Sequence, residues 1–398
     1  MQTQAAVSAA APAVPEPAEL LARARALAPI LRQRSAAAEK ARQCPAETIA
    51  DIKAAGIPRT VQPQRYGGYG MDWDVLCEIA MELGAGCGAQ GWTATVLADH
   101  PCLAAMFPQQ AQDEVWGEDS STLVSTSYNP RGTVQKVHGG YILNGRWMYS
   151  SGVSYADWTI VGGFVDLPDG RRQHHFFLVP ASDRTIVDDW DAMGMAGTGS
   201  MSVELKDAFV PGHRALDARL VASGQTPGAA LHPEPLHRMP IIGFTGSVLV
   251  SVPVGVAMGM VRDFETMLRE RFGSGPAKPG LEDMQGRAAE AGAEVEAARL
   301  LILETGRRNM AKLRAGHLLD ESDAATTARN SAYAAKLAKQ AATRLFEVTG
   351  GSGLGNANHF QRSFRDVYAG TAHGTLNWGR SANRYGAHIL GWPPELPF

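Results

Sequence analysis

The sequence predicts an α+β protein that is mostly helical, in the order helical domain, β domain and helical bundle. Three observations support this order. Residues 17–120 repeat apolar side chains at spacings of three and four, which is typical of amphipathic helices. Residues 121–225 contain short β-branched and aromatic runs separated by turn residues. Residues 226–398 return to long Ala-rich helical patterns with few helix breakers.

The N-terminal part is predicted to be a tail followed by helices. Residues 1–16 are rich in Ala and Pro and lack the basic segment and apolar core of a signal peptide, so we expect a disordered tail. Helical patterns follow in PAELLARARALAPILRQRSAAAEKAR, PAETIADIKAAGI, MDWDVLCEIAMELGAGC and QGWTATVLADHPCLAAMF. Pro101 predicts a helix boundary or kink directly after His100, because a proline removes a helical hydrogen bond.

The middle of the chain is predicted to form a small antiparallel barrel or sandwich. Its candidate strands lie in STLVSTSYN, GTVQKVHGGYILNGRWMYSSG, ADWTIVGGFVD, HHFFLVPA and SMSVELKDAFVP. The stretches HGGY and LPDGRR carry the residues of tight turns between strands. Several short strands at regular spacing are typical of these two architectures.

The C-terminal part is predicted to form a four-helix bundle. The segments DMQGRAAEAGAEVEAARLLILETGRRNMAKLRAG and ESDAATTARNSAYAAKLAKQAATRLFEVTGG combine length with an apolar stripe. Their Ala content permits close packing, including between subunits. The run from Met239 to Val261 approaches the length of a membrane span. It carries Pro, Ser, Thr and Gly, so we expect a buried core helix instead.

The composition excludes several classes of function. The chain has 398 residues and a net charge of −3, which gives no support to binding of nucleic acid or an anionic membrane. His174 and His175 are adjacent and lack a spaced third ligand, so no metal site is predicted. The cysteines show no metal-binding spacing, and we expect free thiols in the cytoplasm. These cysteines are Cys44, Cys77, Cys87 and Cys102.

Four stretches carry a resemblance to a known family: VHGGYILNGRWMYSSG, WDAMGMAGTGSMSVELKDAFVP, LRERFGSG and EVTGGSGLGNANHFQRSFRD. Each is similar to a landmark of the acyl-CoA dehydrogenase fold, and the resemblance covers nearly the whole chain past the tail. Many dehydrogenases of this family have a proton-abstracting Glu shortly after the Arg–Asp of the last stretch. Here Ala369 stands at that place, and no Asp or Glu follows Asp366 until Glu395. His373 lies seven residues after Asp366 instead.

The chain accordingly resembles the oxygenase components of two-component flavin-dependent aromatic monooxygenases, the group of the 4-hydroxyphenylacetate and secosteroid phenol hydroxylases. The stretches QGWTATVLADHPCLAAMFPQQAQDEVWGED and TLVSTSYNPRG add to this resemblance. It implies reduced FMN, or FAD instead, and O2 as cofactors, and a flavin C4a-hydroperoxide that hydroxylates a phenol or an indole. It also implies a separate NAD(P)H:flavin reductase and a homotetramer. A histidine suits the base that such a phenol requires.

The resemblance assigns roles to particular residues. Catalytic roles fall to His100, Ser151 and His373. Substrate contacts fall to Trp92, His100 and Asn377. Flavin contacts fall to Ser125, Ser127, Ser150, Ser151, Arg271, Phe272, Gly350 and Gly351. The two glycines of this list are expected to contact the cofactor of a neighbouring subunit.

Each of these residues has an ordinary structural alternative. His373 can be a packed histidine of the bundle, and His100 can cap a helix end. The serines can be turn residues or part of a solvated strand face. Arg271 can be a solvated charge, and Gly350 and Gly351 can form a helix cap and loop.

Asn377 raises the question of the substrate. It lies four residues after His373, which on a helix places both side chains on one face. Related oxygenases have an acid at this spacing, and an Asn would stabilise a charged histidine less well. An indole N–H or another heteroatom therefore stays beside the phenol as a candidate. Two rival functions remain open: an acyl-CoA dehydrogenase with FAD and an unrecognised base, and an N- or S-oxygenating enzyme of the same fold.

Overall fold

The computed structural model describes residues 14–241, 244–273 and 280–392. Most of the predicted N-terminal tail lies outside the described residues, as do residues 393–398 at the end of the predicted bundle. Within the described ranges, helices come first, strands follow, and a second set of helices ends the chain. The predicted α+β order, mostly helical, is confirmed.

Five helices precede the first strand. Pro17 opens the first of them, where the missing N–H of a proline costs no helical hydrogen bond. Arg42 follows its end in the left-handed region, with φ 54°. The helices are α1 (Pro17–Ala41), α2 (Ala46–Ala54), α3 (Trp73–Gly86), α4 (Gly88–Ala104) and α5 (Gln109–Trp116).

Helix α4 passes through the centre of the protein, and every one of its residues is buried. It continues through Pro101 to Ala104, so of the boundary or kink predicted after His100, the boundary is wrong. Pro101 removes one backbone hydrogen bond, and the packing of α4 against α1, α3, α7 and β1 holds the helix together despite this loss. His100 is consequently an interior helical residue.

The β domain consists of two four-stranded sheets with an apolar core between them that includes Trp147 and Phe177. The first sheet has the order β1-β4-β5-β8 and the second β2-β3-β7-β6. The strands are β1 (Val124–Pro130), β2 (Thr133–Val137), β3 (Gly140–Ser150), β4 (Trp158–Asp166), β5 (Arg172–Pro180), β6 (Thr185–Val187), β7 (Met201–Pro211) and β8 (Ala215–Asp217).

The pairing of β1 with β4 differs from the expected antiparallel domain. These two strands are parallel, with Ser125 opposite Thr159, while the other pairs are antiparallel. The chain forms β2 and β3 in the other sheet before it returns beside β1, and this crossover makes the two directions the same. The expectation was therefore wrong at this one pair.

The C-terminal helices pack on one another and on the N-terminal helices. Helix α7 contacts α3, α4, α8, α9 and α10. Asp320 and Asp323 form a reciprocal capping box at the start of α9. The helices are α6 (Ala218–Ser223), α7 (Thr245–Phe272), α8 (Leu281–Arg314), α9 (Glu321–Phe346), α10 (His359–Thr371) and α11 (Trp378–Ile389).

Helix α7 contains most of the apolar run from Met239 to Val261, which was predicted to be a core helix rather than a membrane span. It is the one described helix with the length and hydropathy of a membrane span. In its most apolar window, 89% of the residues are buried inside the protein, which agrees with the predicted core helix.

Candidate active site

Helix α4 forms one wall of the candidate site and carries two of the predicted residues. Trp92 and His100 are eight residues apart, which corresponds to about 12 Å along a helix axis. The predicted residues near Trp92 and those near His100 therefore form two neighbouring groups along one buried wall.

A row of hydroxyl groups begins at Trp92. Its indole Nε1 donates to the Ser151 Oγ at 3.2 Å. The Ser151 Oγ lies 2.7 Å from the Ser200 Oγ, which lies 2.6 Å from the Thr198 Oγ1. Ser151 was predicted from the sequence, whereas Thr198 and Ser200 were not. These two residues lie in the AGTGS part of the stretch WDAMGMAGTGSMSVELKDAFVP.

The turn after β3 brings Ser151 onto α4. The next residue, Gly152, has φ 71°, a conformation that favours glycine. A Cβ atom at Gly152 would also lie 3.2 Å from side-chain atoms of Leu97 and Thr93, so the turn lies tightly against the helix.

The hydrogen count of this row leaves one hydrogen for a ligand. The indole N–H can only donate, so Ser151 accepts from Trp92. The three hydroxyl groups carry three hydrogens, and two of these are used between the hydroxyls. Ser151 is half-buried, whereas Ser200 and Thr198 are buried. Ser151 is therefore the hydroxyl that is placed to offer the remaining hydrogen to a bound molecule.

His373 lies beside Trp92, with the two ring centroids 6.2 Å apart. It caps a 3-10 turn: the Thr375 backbone N–H donates to the His373 Nδ1 at 3.3 Å. Because Nδ1 accepts this hydrogen bond, the neutral ring carries its hydrogen on Nε2. The ring reaches solvent, but protein surrounds it on most sides, and this desolvation lowers the pKa of His373. In this arrangement the neutral His373 offers a hydrogen-bond donor on Nε2, and its role as a base stays a prediction.

His100 has the opposite character. Its Nδ1 lies 3.0 Å from the Val124 carbonyl oxygen, and a carbonyl can only accept, so the hydrogen is on Nδ1. Its Nε2 is therefore an acceptor, and it receives a hydrogen bond from the Thr126 Oγ1 at 2.8 Å. Burial lowers the pKa of His100 to about 4, which keeps the ring neutral near pH 7. His100 thus presents a free-base nitrogen.

Strand β1 brings Thr126, rather than Ser125 or Ser127, to His100. The predicted residues Ser125 and Ser127 are buried on the opposite face from Thr126, where the Ser125 hydroxyl is 2.8 Å from the Thr159 hydroxyl. Thr126, between them, is the residue that meets His100. Side chains of a strand alternate between its faces, so Ser125 and Ser127 do not share the face that Thr126 turns to His100. Their predicted flavin contacts stay predictions.

Ser150 is fully buried at the end of β3, and its hydroxyl has no hydrogen-bond partner. Buried hydroxyl groups usually have one. This orphaned group, next to the half-buried Ser151, agrees with a ligand contact at the strand end.

The remaining predicted flavin contacts lie far from Trp92 within this chain. Pro253 of α7 packs near Gly370 of α10, one turn before His373. Arg271 is eighteen residues further along α7, about 27 Å away by helix geometry. Its side chain is exposed and lies over the neighbouring Phe272 ring.

Gly350 and Gly351 are also exposed, and a Cβ atom on either would meet nothing within 4 Å. Gly350 has φ 63°, which a glycine adopts without strain. Neither glycine is therefore in contact with Trp92 within one chain. Their role toward the cofactor of a neighbouring subunit stays a prediction.

Asn377 does not share a helix face with His373, so that expectation was wrong. Helix α10 ends at Thr371, a 3-10 turn follows, and Asn377 caps the next helix by accepting from the Arg380 N–H at 3.0 Å. Asparagine is a favoured N-cap residue, and its side chain is committed to this role.

Asp366 is the last carboxylate before this region, and it points elsewhere. It accepts the Met195 backbone N–H at 2.6 Å, and burial raises its pKa to about 6. It also lies against Gly88, where a Cβ atom would be 2.7 Å from its Oδ2. Asp366 thus ties α10 to the start of α4 and to the loop before β7.

Comparison with known proteins defines the class to which this fold and site belong. Residues 16–116 match the family described as acyl-CoA dehydrogenase, N-terminal domain, and residues 247–378 match acyl-CoA dehydrogenase, C-terminal domain. The crystal structure of 3-HSA hydroxylase from Rhodococcus sp. RHA1 is similar, with a TM-score of 0.90 and 32% identity over 94% of this chain and 97% of that chain. The protein therefore has the acyl-CoA dehydrogenase-like fold that the sequence predicted.

Two relatives narrow the class further. The FADH(2)-dependent resorcinol hydroxylase, oxygenase component, of Rhizobium sp. (strain MTP-10005) is 34% identical over 96% of this chain and 98% of that protein. The flavin-dependent monooxygenase, oxygenase subunit HsaA, of Mycobacterium tuberculosis is 35% identical over 92% of this chain and 94% of that protein. The chain belongs to the family of oxygenase components of two-component flavin-dependent aromatic monooxygenases. The resemblance drawn from the sequence is confirmed.

Proposed function

We propose that this protein hydroxylates a small phenolic ring, using reduced flavin that a separate NAD(P)H:flavin reductase supplies. The observation that carries this proposal is the neutral His100, whose Nε2 is a buried hydrogen-bond acceptor on the same wall as Trp92. A phenol hydroxyl can donate to this nitrogen. This hydrogen bond polarises the phenol O–H and makes the ring carbons more electron-rich, which is what an electrophilic oxygen donor requires.

The residues near Trp92 fit a flavin. When bound, reduced flavin activates O2 and supplies the oxygen atom for the substrate. Its ring presents neutral donors and acceptors, and the hydroxyl row of Ser151, Ser200 and Thr198 meets such groups without adding charge. The orphaned Ser150 hydroxyl lies at the same strand end. His373 adds a donor from the side of the bundle.

The identity of the flavin can be proposed from the relatives. The sequence favoured FMN and left FAD as the alternative. The resorcinol hydroxylase is named as FADH(2)-dependent, and a structural relative at 26% identity, XiaF from Streptomyces sp., was solved with FADH2. We therefore extend the proposal to both reduced flavins, with FADH2 supported by these names.

The proposal includes a homotetramer in the cytoplasm. A group of exposed apolar side chains on the C-terminal helices supports assembly, since a monomer gains nothing from exposing them. Assembly would also bring Gly350, Gly351 and Arg271 of one subunit toward the site of another. The free, buried cysteines suit a reducing compartment. The exposed group consists of Tyr333, Trp378, Ile389, Leu390 and Trp392.

The test is a reconstitution with a flavin reductase, NADH, and FMN or FAD, in the presence of resorcinol, p-hydroxyphenylacetate or indole-3-acetate. We expect a hydroxylated product from at least one phenol and none when the oxygenase is omitted. Oxidation of the indole alone would replace the phenol in this proposal. Reduction of an electron acceptor by an acyl-CoA, without an oxygen requirement, would replace the oxygenase with a dehydrogenase.

A further inference from the structure

Asp99 is a buried carboxyl group beside His100 that the function described so far does not use. Its side chain is 4% exposed, and its Oδ1 lies 3.4 Å from the His100 Nε2. This oxygen has no hydrogen-bond partner. Among the described residues, no Lys or Arg forms an ion pair with Asp99. The carboxyl group is therefore buried without a permanent cation.

The other titratable groups near Asp99 provide no positive charge. They come from three elements: Cys77 of α3, Cys102 of α4 and Tyr128 of β1. Burial raises the pKa of all three, so each stays neutral and protonated near pH 7. His100 is neutral as well, as its tautomer and lowered pKa require.

These surroundings determine the protonation state of Asp99. An ionised carboxylate that is buried in this way, with neutral neighbours, is disfavoured relative to the protonated acid. Burial accordingly raises the pKa of Asp99 well above its ordinary value. The group is then a carboxylic acid, which has one O–H donor that an ionised carboxylate lacks.

The two neighbouring side chains thus offer complementary functions. The His100 Nε2 accepts a hydrogen bond, and the neutral Asp99 carboxyl donates one, with 3.4 Å between the two atoms. A hydroxyl group both donates and accepts, so it can satisfy both partners at once. An indole N–H can only donate, so an indole that donates to the His100 Nε2 leaves the Asp99 O–H without an acceptor.

We propose that Asp99 is a specificity-determining residue, whose neutral carboxyl group donates to the substrate hydroxyl oxygen while that hydroxyl donates to the His100 Nε2. This inference rests on the proposed function and names its substrate class as phenols rather than indoles. Thr126 releases Nε2 when the substrate binds, since its hydroxyl also interacts with Tyr128. No covalent bond changes in this recognition step.

The test compares a phenol, whose oxygen accepts from Asp99, with an indole, whose N–H cannot accept. The probes are p-hydroxyphenylacetate with indole-3-acetate, and phenol with indole, titrated anaerobically by calorimetry into the enzyme with reduced flavin. Leaving a buried hydrogen-bonding group without its partner weakens binding by about 5- to 150-fold. We expect the wild-type protein to prefer the phenols by a factor in this range. Asp99→Leu, which has no donor, should lose most of this preference, whereas Asp99→Asn, which keeps an N–H donor, should retain it.

A matched control lies one turn earlier on the same face of α4. Thr95 is buried and its hydroxyl has no partner, as for Asp99. Thr95→Val should leave the preference for phenols unchanged. The pH dependence adds a second readout. Phenol affinity of the wild-type protein should fall as pH rises through the raised pKa of Asp99, and Asp99→Asn should show no such fall.

The results separate this inference from the proposed function. Hydroxylation of a phenol together with an unchanged phenol-to-indole affinity ratio in Asp99→Leu would overturn the role of Asp99 alone. A wild-type protein that binds phenol and indole equally would also overturn it. Failure to bind reduced flavin or to hydroxylate any aromatic ring would instead remove the proposed function. Unfolding curves of the variants show whether each one is folded.

Discussion

Replacement of Ser151 by alanine tests the hydroxyl row at the candidate flavin site. The Ser151 Oγ accepts from the Trp92 indole at 3.2 Å and is bonded to the Ser200 hydroxyl at 2.7 Å. In Ser151→Ala, the indole N–H loses its acceptor, and the hydrogen that remains for a ligand is lost. A neutral hydrogen bond contributes about 0.5–1.5 kcal/mol, which corresponds to a fall of about 2- to 12-fold in affinity for reduced flavin.

The same substitution should lower the free energy of unfolding by about 1–2 kcal/mol, because the Trp92 indole is buried and left without a partner. Flavin affinity is measured anaerobically, with reduced FMN and FADH2 in separate calorimetric titrations. Unfolding is measured in urea without flavin. The two readouts separate a loss of the ligand contact from a general loss of stability.

Ser154→Ala is the matched control. This serine lies in the next turn of the chain, and its hydroxyl contacts the Met201 sulfur at 4.0 Å. Its removal should change flavin affinity by no more than about twofold, as for most surface substitutions. Equal effects of the two alanine variants on flavin affinity would refute the role of the hydroxyl row.

Three further predictions concern stability and assembly. Burial, with a contribution from His232, lowers the pKa of His237 to about 3. As the pH falls below about 6.5, the His237 ring therefore gains a proton in the unfolded chain but not in the folded one. The protein should therefore lose about 2 kcal/mol of stability at this position between pH 7.5 and pH 5, and urea unfolding of His237→Gln should lack this loss. Gly88→Ala places a Cβ atom 2.7 Å from the Asp366 Oδ2. We expect this substitution to lower the free energy of unfolding by about 1–3 kcal/mol in the same assay. An unchanged unfolding midpoint would contradict this contact. Leu390→Asp should lower the molar mass measured by light scattering, and an unchanged mass would exclude this exposed residue from the subunit contact.

The fold could be predicted from the sequence because its hydrophobic periods are unambiguous. Long segments with a helical period became α1, α8 and α9, and the alternating runs became the main strands. The strands β6 and β8 were not predicted, since three residues are too few to show an alternation. The parallel pairing of β1 with β4 depends on the path of the chain between two sheets, which no local pattern records.

The candidate site was only partly predictable. Motifs identified Trp92, Ser151, His100 and His373, and the structure places three of them in one group around Trp92. The sequence could not give the tautomers, which depend on a carbonyl and a backbone N–H supplied by other residues. For the same reason it assigned the base to His373, whereas the acceptor nitrogen that the structure offers is on His100.

Two residues of the wall were missed although the sequence contains them next to named ones. Thr126 lies between Ser125 and Ser127, and a shift of one residue along a strand exchanges its two faces. Asp99 precedes His100, and adjacent helical residues usually point apart. The triplet DHP was read for its His and Pro, and only the burial of α4 on every side shows that both Asp99 and His100 are enclosed.

The origin of the oxygen atom tests the central claim most directly. The reconstituted enzyme, with reductase, NADH and flavin, is supplied with a phenol under isotopically labelled dioxygen, and the product is analysed by mass spectrometry. We predict that the product carries one labelled oxygen atom in its new hydroxyl group and that this incorporation requires the wild-type His100. A product with unlabelled oxygen, or equal incorporation by His100→Ala, would contradict this account.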